Sequence, residues 1–368
     1  MLIDLHIIQN FAPSCLNRDD TNAPKDCEFG GYRRARISSQ CIKRSVRTYF
    51  DQHAEDLNIA GNLGERSRKF ADSLATRLST EKKKTPAEAL KVVRQAIEQI
   101  GLKFDKKATE PLTEYLLFLD PKEQNALAGL CVEYWDELKN DKPKLPADFA
   151  KQAKATVLAN PRSGCKAVDL ALFGRMLADL PDNNIDAACQ VAHALSTHAV
   201  DMEMDFFTAV DDLQPKGDTG AGMMGVVEFN SSCFYRYSLL DTAQLTRNLG
   251  GDAALAKSAV GAYLKASVYA IPTGKQNSMA AQNLPVYVRV VVREGAPPRS
   301  FANAFMAPVV KNREADLAKT SADKLEDHEK QLTRMYGVVG VKLEATASLY
   351  DENSDGLDSL LGKVGGLL

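Results

Sequence analysis

Six lysines and arginines (Arg33, Arg34, Arg36, Lys43, Arg44 and Arg47) fall between Phe29 and Phe50, in FGGYRRARISSQCIKRSVRTYF, without one Asp or Glu among them. Backbone N–H groups after Gly30-Gly31, hydroxyls at Ser38 and Ser39 and a set of cations are the groups that hold a phosphate chain. Lys43 and Arg47 are four apart and repel each other on an isolated helix, so an external anion relieves a real cost. A merely solvated face intersperses both signs, as residues 312–334 of this chain do. The run therefore reads as a grip on a polynucleotide backbone.

Other candidates for chemistry are weaker. Asp19-Asp20 and Asp211-Asp212 are adjacent carboxylates of the kind that hold a divalent cation or move a proton on a phosphodiester. Adjacent side chains point apart, however, and loop Asp pairs commonly build turns. His193 and His198 are five apart on an expected helix and do not share the face that a metal pair requires. The seven cysteines (15, 27, 41, 131, 165, 189 and 233) are scattered, with no C-x-x-C pair. The chain contains no H-E-x-x-H, P-loop, G-x-S-x-G or GxGxxG spacing. The reading is of no catalytic residue, no metal and no cofactor.

Composition sets the context. The chain has 368 residues, a formal net charge of −2 and a hydrophobic fraction of 45%, with a pI near 6.3. Those are the values of an ordinary globular protein with room for one large domain or two smaller ones. Near-neutrality argues against a freely diffusing nucleic-acid binder and suits one basic strip, and it lets copies pack side by side. MLIDLHIIQNF carries Asp4 and His6 and reads as a strand rather than a signal or an anchor, so no membrane partner is expected. An odd number of unclustered cysteines points to a reducing cytoplasm.

The elements that must position the basic run follow from periodicity. A strand is expected at about 2–10, a polar loop after it, an extended stretch at Arg34–Ile37 and a helix from Ser39 with Ile42, Val46, Tyr49 and Phe50 on one side. From about 60 to 160 the pattern is helical: Leu90, Val93, Ile97 and Ile100; Leu112, Tyr115, Leu116 and Leu119; Leu127, Leu130, Tyr134 and Leu138. Trp135 reads as core. Further helices are expected near 166–178 and 186–199, and Gln214–Gly225 as a loop or hairpin tip. The clearest strands are Val226–Leu240 and Pro285–Arg293, the latter with one core face and one face carrying Tyr287, Arg289 and Arg293. A helix after Gly250-Gly251-Asp252 and a strand at Gly337–Leu343 complete the order of a split β-α-β unit.

The blocks SCLNRDD (14–20), FGGYRRARISSQCIKR (29–44), GRM (174–176), DFFTAVDDL (205–213), FYRY (234–237), NLGG (248–251) and GKQ (274–276) give the chain a long, ordered resemblance to the CasC family, the repeated backbone subunits of type I-E CRISPR Cascade. The resemblance runs to about residue 310, loosely in the helical segment and the C-terminal tail. It implies an α+β fold with an RRM or ferredoxin-like palm, a helical fingers insertion and a β-hairpin thumb. The corresponding segments are 1–58 (palm, guide grip), 59–180 (fingers), 181–199 (palm helix), 200–226 (thumb) and 227–368 (palm and C-terminal segment).

It also implies phosphate contacts from Ser38, Gln40, Lys43 and Arg44, helped by Lys25 and Arg47, and base stacking by Met176, Phe206, Phe207 and Thr208, with Lys275 a weaker member. Arg34 and Arg36 join the set as cations of the run. The implied partners are a CRISPR guide RNA, further copies of the same chain, other Cascade subunits and, through the guide, target DNA. Gripping phosphates leaves base edges free to read a target, and the chain lacks the aromatic signature with which an RRM sheet reads bases. Two alternatives differ in class. One is a metal-dependent endoribonuclease using Asp19 or Asp20, as in the backbone subunits of type III effectors. The other is a free single-stranded RNA-binding protein.

Overall fold

The computed structural model describes residues 1–158, 165–209, 211–213, 223–310, 312 and 314–368. In chain order the elements are β1 (Leu2–Ser14), β2 (Asp26–Phe29), β3 (Tyr32–Ile37), α1 (Ser39–Gln52), β4 (Glu65–Ser67), α2 (Phe70–Lys82), α3 (Pro86–Gln99), β5 (Leu117–Leu119), α4 (Pro121–Glu133), α5 (Trp135–Leu138), α6 (Phe149–Val157) and α7 (Val168–Phe173). They continue as β6 (Cys189–Val191), β7 (Ala194–Ser196), β8 (Glu203–Ala209), β9 (Met223–Asp241), α8 (Thr242–Asn248), α9 (Ala253–Tyr269), α10 (Gln276–Met279), β10 (Tyr287–Arg293), α11 (Leu317–Tyr336), β11 (Val341–Ser348) and α12 (Leu357–Gly365). The chain divides into two compact units, residues 1–52, 190–240 and 263–368 in the first and residues 53–189 and 241–262 in the second. No helix among the described residues is long and apolar enough to cross a membrane.

The first unit is built on a sheet in the order β11-β10-β1-β9-β7-β3-β2, with β8 paired to β9 off this path. The β1–β10, β10–β11, β2–β3, β3–β7, β7–β9 and β8–β9 ladders are antiparallel. Alternation sorts the strands' side chains between two cores. Ile8, Tyr235 and Tyr287 pack with Phe301, Phe305, Ala318, Ala322 and Leu325 under α11. Phe11, Ala35, Ile37 and Phe234 pack with Ile42 of α1 on the other side. Adjacent residues such as Phe234 and Tyr235 thus serve opposite cores, as the period of two requires.

Burial on both faces corrects the expected polar face of the 285–293 strand. Tyr287 and Arg293 are buried. Arg293 Nε donates to Asp4 at 2.9 Å, and Arg289 pairs with Glu329 of α11 at 2.7 Å and Glu344 of β11 at 2.8 Å. The cations of this strand are structural because α11 closes over them, and breaking such a pair by removing one partner is costly.

The second unit is mainly helical around Leu74, Leu78, Val92, Val93, Ile97, Leu127, Cys131, Trp135, Leu138 and Phe149. Thr85 caps α3 ahead of Pro86, and Asp120 with Glu123 forms a reciprocal capping box on α4. Trp135 is in the core, its indole N–H donating to Glu88 at 2.8 Å. The helix expected at 112–119 is instead β5, paired with β4 through Leu119↔Glu65 and Ser67↔Leu117. Leu117, Phe118 and Leu119 are all buried, and a short apolar run fits a strand as well as a helix.

The helix expected at 181–199 is likewise a single turn at Pro181–Asn183 followed by β6 and β7. Ala194, Ser196, Thr197 and His198 are all buried, so the short segment shows no clean period of either kind. His198 lies in this extended stretch, its Nε2 accepting the Cys233 N–H at 3.2 Å. The Gln214–Gly225 segment lies outside the described residues from 214 to 222. The second unit also takes α8 and the first turns of α9, beyond the segment that sequence assigned to it.

Candidate nucleic-acid interface

The first unit brings three stretches of sequence to one place: the loop after β1, the start of α1 and the turn before α10. Their side chains line a cleft of about 350 Å³ that includes Asn17, Arg18, Asp19, Arg44, Thr48 and Gly274. The loop is tied by main-chain bonds, Lys25 N–H to Asn17 O at 2.8 Å, Arg36 N–H to Lys25 O at 2.9 Å and Asp19 N–H to Ala23 O at 2.9 Å. The turn approaches so closely that a Cβ on Gly274 would stand 2.4 Å from Leu16 O and 2.7 Å from Cys15 O. Only glycine fits there, and Lys275 follows it in the left-handed region with φ of 53°.

Helix α1 is amphipathic because Ile42, Val46 and Phe50 are buried and its first turn holds no acidic residue. Ser38 closes its start. The Ser38 hydroxyl accepts the Cys41 N–H at 3.3 Å, the Ser38 carbonyl accepts the Ile42 N–H at 3.1 Å, and the Ser38 N–H donates to Asn17 Oδ1 at 2.8 Å. Ser38 is buried and committed to capping, while Gln40 and Arg44 are exposed and Lys43 and Arg47 half-buried. The first-turn N–H groups of such a helix have no intrahelical acceptor and carry partial positive charge. Burial pushes the Cys41 thiol up, against the opposing pull of Lys25 and Arg44.

The remaining cations of the run divide. Arg36 Nε donates to Asp26 O at 3.2 Å, and its Nη1 lies 3.0 Å from His193 Nδ1. A guanidinium only donates, so Nδ1 of His193 is the acceptor and its ring is neutral. Burial holds the His193 pKa below the usual value, helped by Arg36 and Lys25. Arg33 is paired with Asp26.

Arg34, placed with the phosphate ligands by its position in the run, is 0% exposed. Its Nη1 donates to Ser196 O at 3.0 Å, its Nη2 to Phe305 O at 2.7 Å, and the guanidinium lies 5.9 Å from the ring centres of both Phe29 and Tyr32. It braces the sheet edge instead of facing a ligand. Gly30 and Gly31 also change role. Both have positive φ, 63° and 80°, between the Phe29↔Tyr32 pair, the two-residue hairpin that glycine permits. A Cβ on Gly30 would meet Met306 O at 2.1 Å, so this turn is packed against the protein and is no phosphate loop.

The paired strands β8 and β9 form a hairpin whose side chains stand out from the unit. All of β8 is exposed, with Phe206 at 63%. Register places Phe206 opposite Val226, Phe207 opposite Gly225 and Thr208 opposite Met224. Phe206 and Thr208 therefore share one face with Met204, and Phe207 lies on the other, its ring over Gly225 where a Cβ would come within 2.5 Å. Apolar groups on both faces of an isolated hairpin are surface awaiting a partner. In the second unit, Arg175 is buried, donating to Glu123 at 2.8 Å and Phe118 O at 3.0 Å, and the next residue, Met176, is 81% exposed.

The carboxylates have local duties. Asp19 Oδ1 accepts from Thr21 N–H, Thr21 Oγ1 and Ala23 N–H at 2.9, 2.8 and 3.0 Å, which holds its pKa low. Asp211 accepts the Leu213 N–H at 2.9 Å. Among the described residues no group of three His, Cys, Asp or Glu could hold a metal ion. The cleft residues that sequence reasoning passed over include Asn17, Arg18, Ser45, Thr48 and Thr273. Asn17 and Ser38 are 21 positions apart, and only the fold joins them.

An antiparallel sheet presenting a cationic helix, a polar cleft and a projecting apolar hairpin defines a mixed α/β class of protein. The chain belongs to the CT1975-like protein family, whose profile matches residues 3–361. It is similar over the full length of both chains to one from a CRISPR RNA-guided surveillance complex in its pre-nicking state, with 30% identity and a TM-score of 0.85. A second such complex contains a chain that is 25% identical, again covering both chains fully, with a TM-score of 0.76. No curated protein matches at the sequence level. The full-length likeness gives the chain a Cascade-type role as a surveillance-complex subunit.

Proposed function

We propose that this protein is the repeated, non-catalytic backbone subunit of a type I-E Cascade, several copies of which coat one CRISPR guide RNA and present its bases to target DNA. The observation that carries the reading is α1: three cations, no acid in its first turn and a polar cleft beside it. Lys43, Arg44 and Arg47, with Gln40 and the first-turn N–H groups, grip phosphates, and Lys25, Arg36 and Lys275 extend the grip along the loop and the turn. The hairpin acts as the thumb, with Phe206, Phe207 and Thr208 stacking against bases, and Met176 of the helical fingers does the same. Contacts to phosphates and stacking faces tolerate any guide sequence.

The palm reading is supported by strand order. Following β1, α1, β7, β9, α9 and β10 along the chain, the strands lie in the sheet as β10-β1-β9-β7, the arrangement of a split β-α-β unit. Assignment of Asp19 to a turn favours RNA holding over RNA cutting.

The test is to express the chain with a CRISPR array and its partner subunits, purify it, and extract its RNA. A single discrete small RNA is expected, with matched target RNA left intact in Mg²⁺. Periodic cleavage of that target, lost on Asp19→Ala, would replace this reading with the endoribonuclease. RNA of heterogeneous length would replace it with a free RNA-binding protein.

A further inference from the structure

We infer that Asn17 is the positioning residue of the phosphate grip, an inference that rests on the function proposed above. One residue bonds in both directions: Asn17 Oδ1 accepts the Ser38 N–H at the helix start at 2.8 Å, and Asn17 O accepts the Lys25 N–H at 2.8 Å, closing the loop on itself. A backbone N–H demands an acceptor, so the amide orientation is fixed with oxygen toward Ser38, and the Nδ2 amino group is left for the cleft that Asn17 lines beside Arg44. Lys25 in turn sets β3, because its carbonyl accepts the Arg36 N–H. Through these bonds Lys25, Arg36 and the capped start of α1 are held as one rigid array.

A preorganised cation loses less freedom on binding than one on a loose loop. Asn17→Ala removes the side-chain acceptor for Ser38 N–H, and with it the tie between the loop and the start of α1, while the main-chain bond to Lys25 remains. Asn17→Asp keeps an acceptor at the helix start, where a carboxylate is also favoured by the helix dipole, but exchanges the amino group facing the cleft for a negative charge. The two substitutions thus separate holding the fold from holding the ligand.

The experiment measures thermal melting of the full chain and its binding to a labelled single-stranded RNA of mixed sequence across a salt series. With Asn17→Ala, affinity should fall and the salt slope should shrink by about 0.7, the loss of one phosphate contact on a single strand. With Asn17→Asp, melting should match the wild type while RNA binding weakens by about tenfold or more, as expected for a like charge brought near a phosphate in a partly solvated cleft. Wild-type affinity and slope in Asn17→Ala, full RNA binding in Asn17→Asp, or a melting point well below wild type in Asn17→Asp would each overturn the inference and leave the proposed function standing. Salt-independent binding by the wild type would overturn both.

Discussion

Replacing Lys43 and Arg44 together by alanine tests the proposed phosphate grip of α1. Arg44 lines the cleft and Lys43 is half-buried beside it on the same helix, so under the proposed function the pair would make two phosphate contacts in each copy. Each contact on a single strand contributes about 0.7 to the slope of log affinity against log salt, so the double variant should lose about 1.4 from that slope. Relative to a 1 M reference, the same arithmetic gives a loss of roughly 14-fold at about 0.15 M salt and roughly 70-fold at about 0.05 M. The gap between wild type and variant therefore widens as salt falls, and it should be equal for guides of different sequence. Fluorescence anisotropy with two labelled RNAs of unrelated sequence, titrated with salt, measures both properties. An unchanged slope would show that α1 does not meet phosphate, and a loss confined to one sequence would show base readout.

Three further outcomes follow from particular contacts. Phe206→Ala and Phe207→Ala sit on opposite faces of the hairpin, so each should weaken RNA binding by about 1–3 kcal/mol per stacked base, and probing with a base-modifying reagent should expose different nucleotides in the two variants. Arg34→Ala strands the Ser196 and Phe305 carbonyls that the guanidinium serves, and urea unfolding should show a loss of about 2–4 kcal/mol with no change in the RNA salt slope of the remaining folded protein. His6 is buried against Phe301 with ring centres 4.1 Å apart, and desolvation first, then Arg289 and Arg293, holds its pKa well below the usual value. The unfolded chain therefore binds this proton more readily, so stability should be full above about pH 6.5 and fall as the pH drops below it. In the variant His6→Phe, which keeps the stack, that decline should flatten in melting curves taken across pH.

Legibility in the sequence tracked the strength of the local pattern. The strand at β1, the amphipathic α1, the long β9 and the helices around Val93 and Leu130 each carry enough periodic apolar residues to declare themselves. Segments of three residues do not, and Leu117–Leu119 and Cys189–Ser196 were misassigned because three or four apolar positions fit either period. Arg34 shows a different failure. Nothing in YRRARI separates its arginines, and only carbonyls far along the chain, those of Ser196 and of Phe305 more than 270 positions away, decide that Arg34 is inside. Gly30-Gly31 has the same lesson, since a phosphate loop and a tight hairpin both need glycine. The cationic stripe of α1 was legible because charge and helical period are both local; its tie to Asn17 was not, because that bond spans the loop.

The central claim, that copies of this chain hold one RNA in common, is tested most directly by the native mass of the intact assembly purified from cells that also express a CRISPR array and the partner subunits. The account predicts one discrete mass containing several copies of the chain on a single small RNA, collapsing toward smaller species when Lys43 and Arg44 are replaced. A monomer without RNA, or one copy bound to RNA of mixed length, would contradict it.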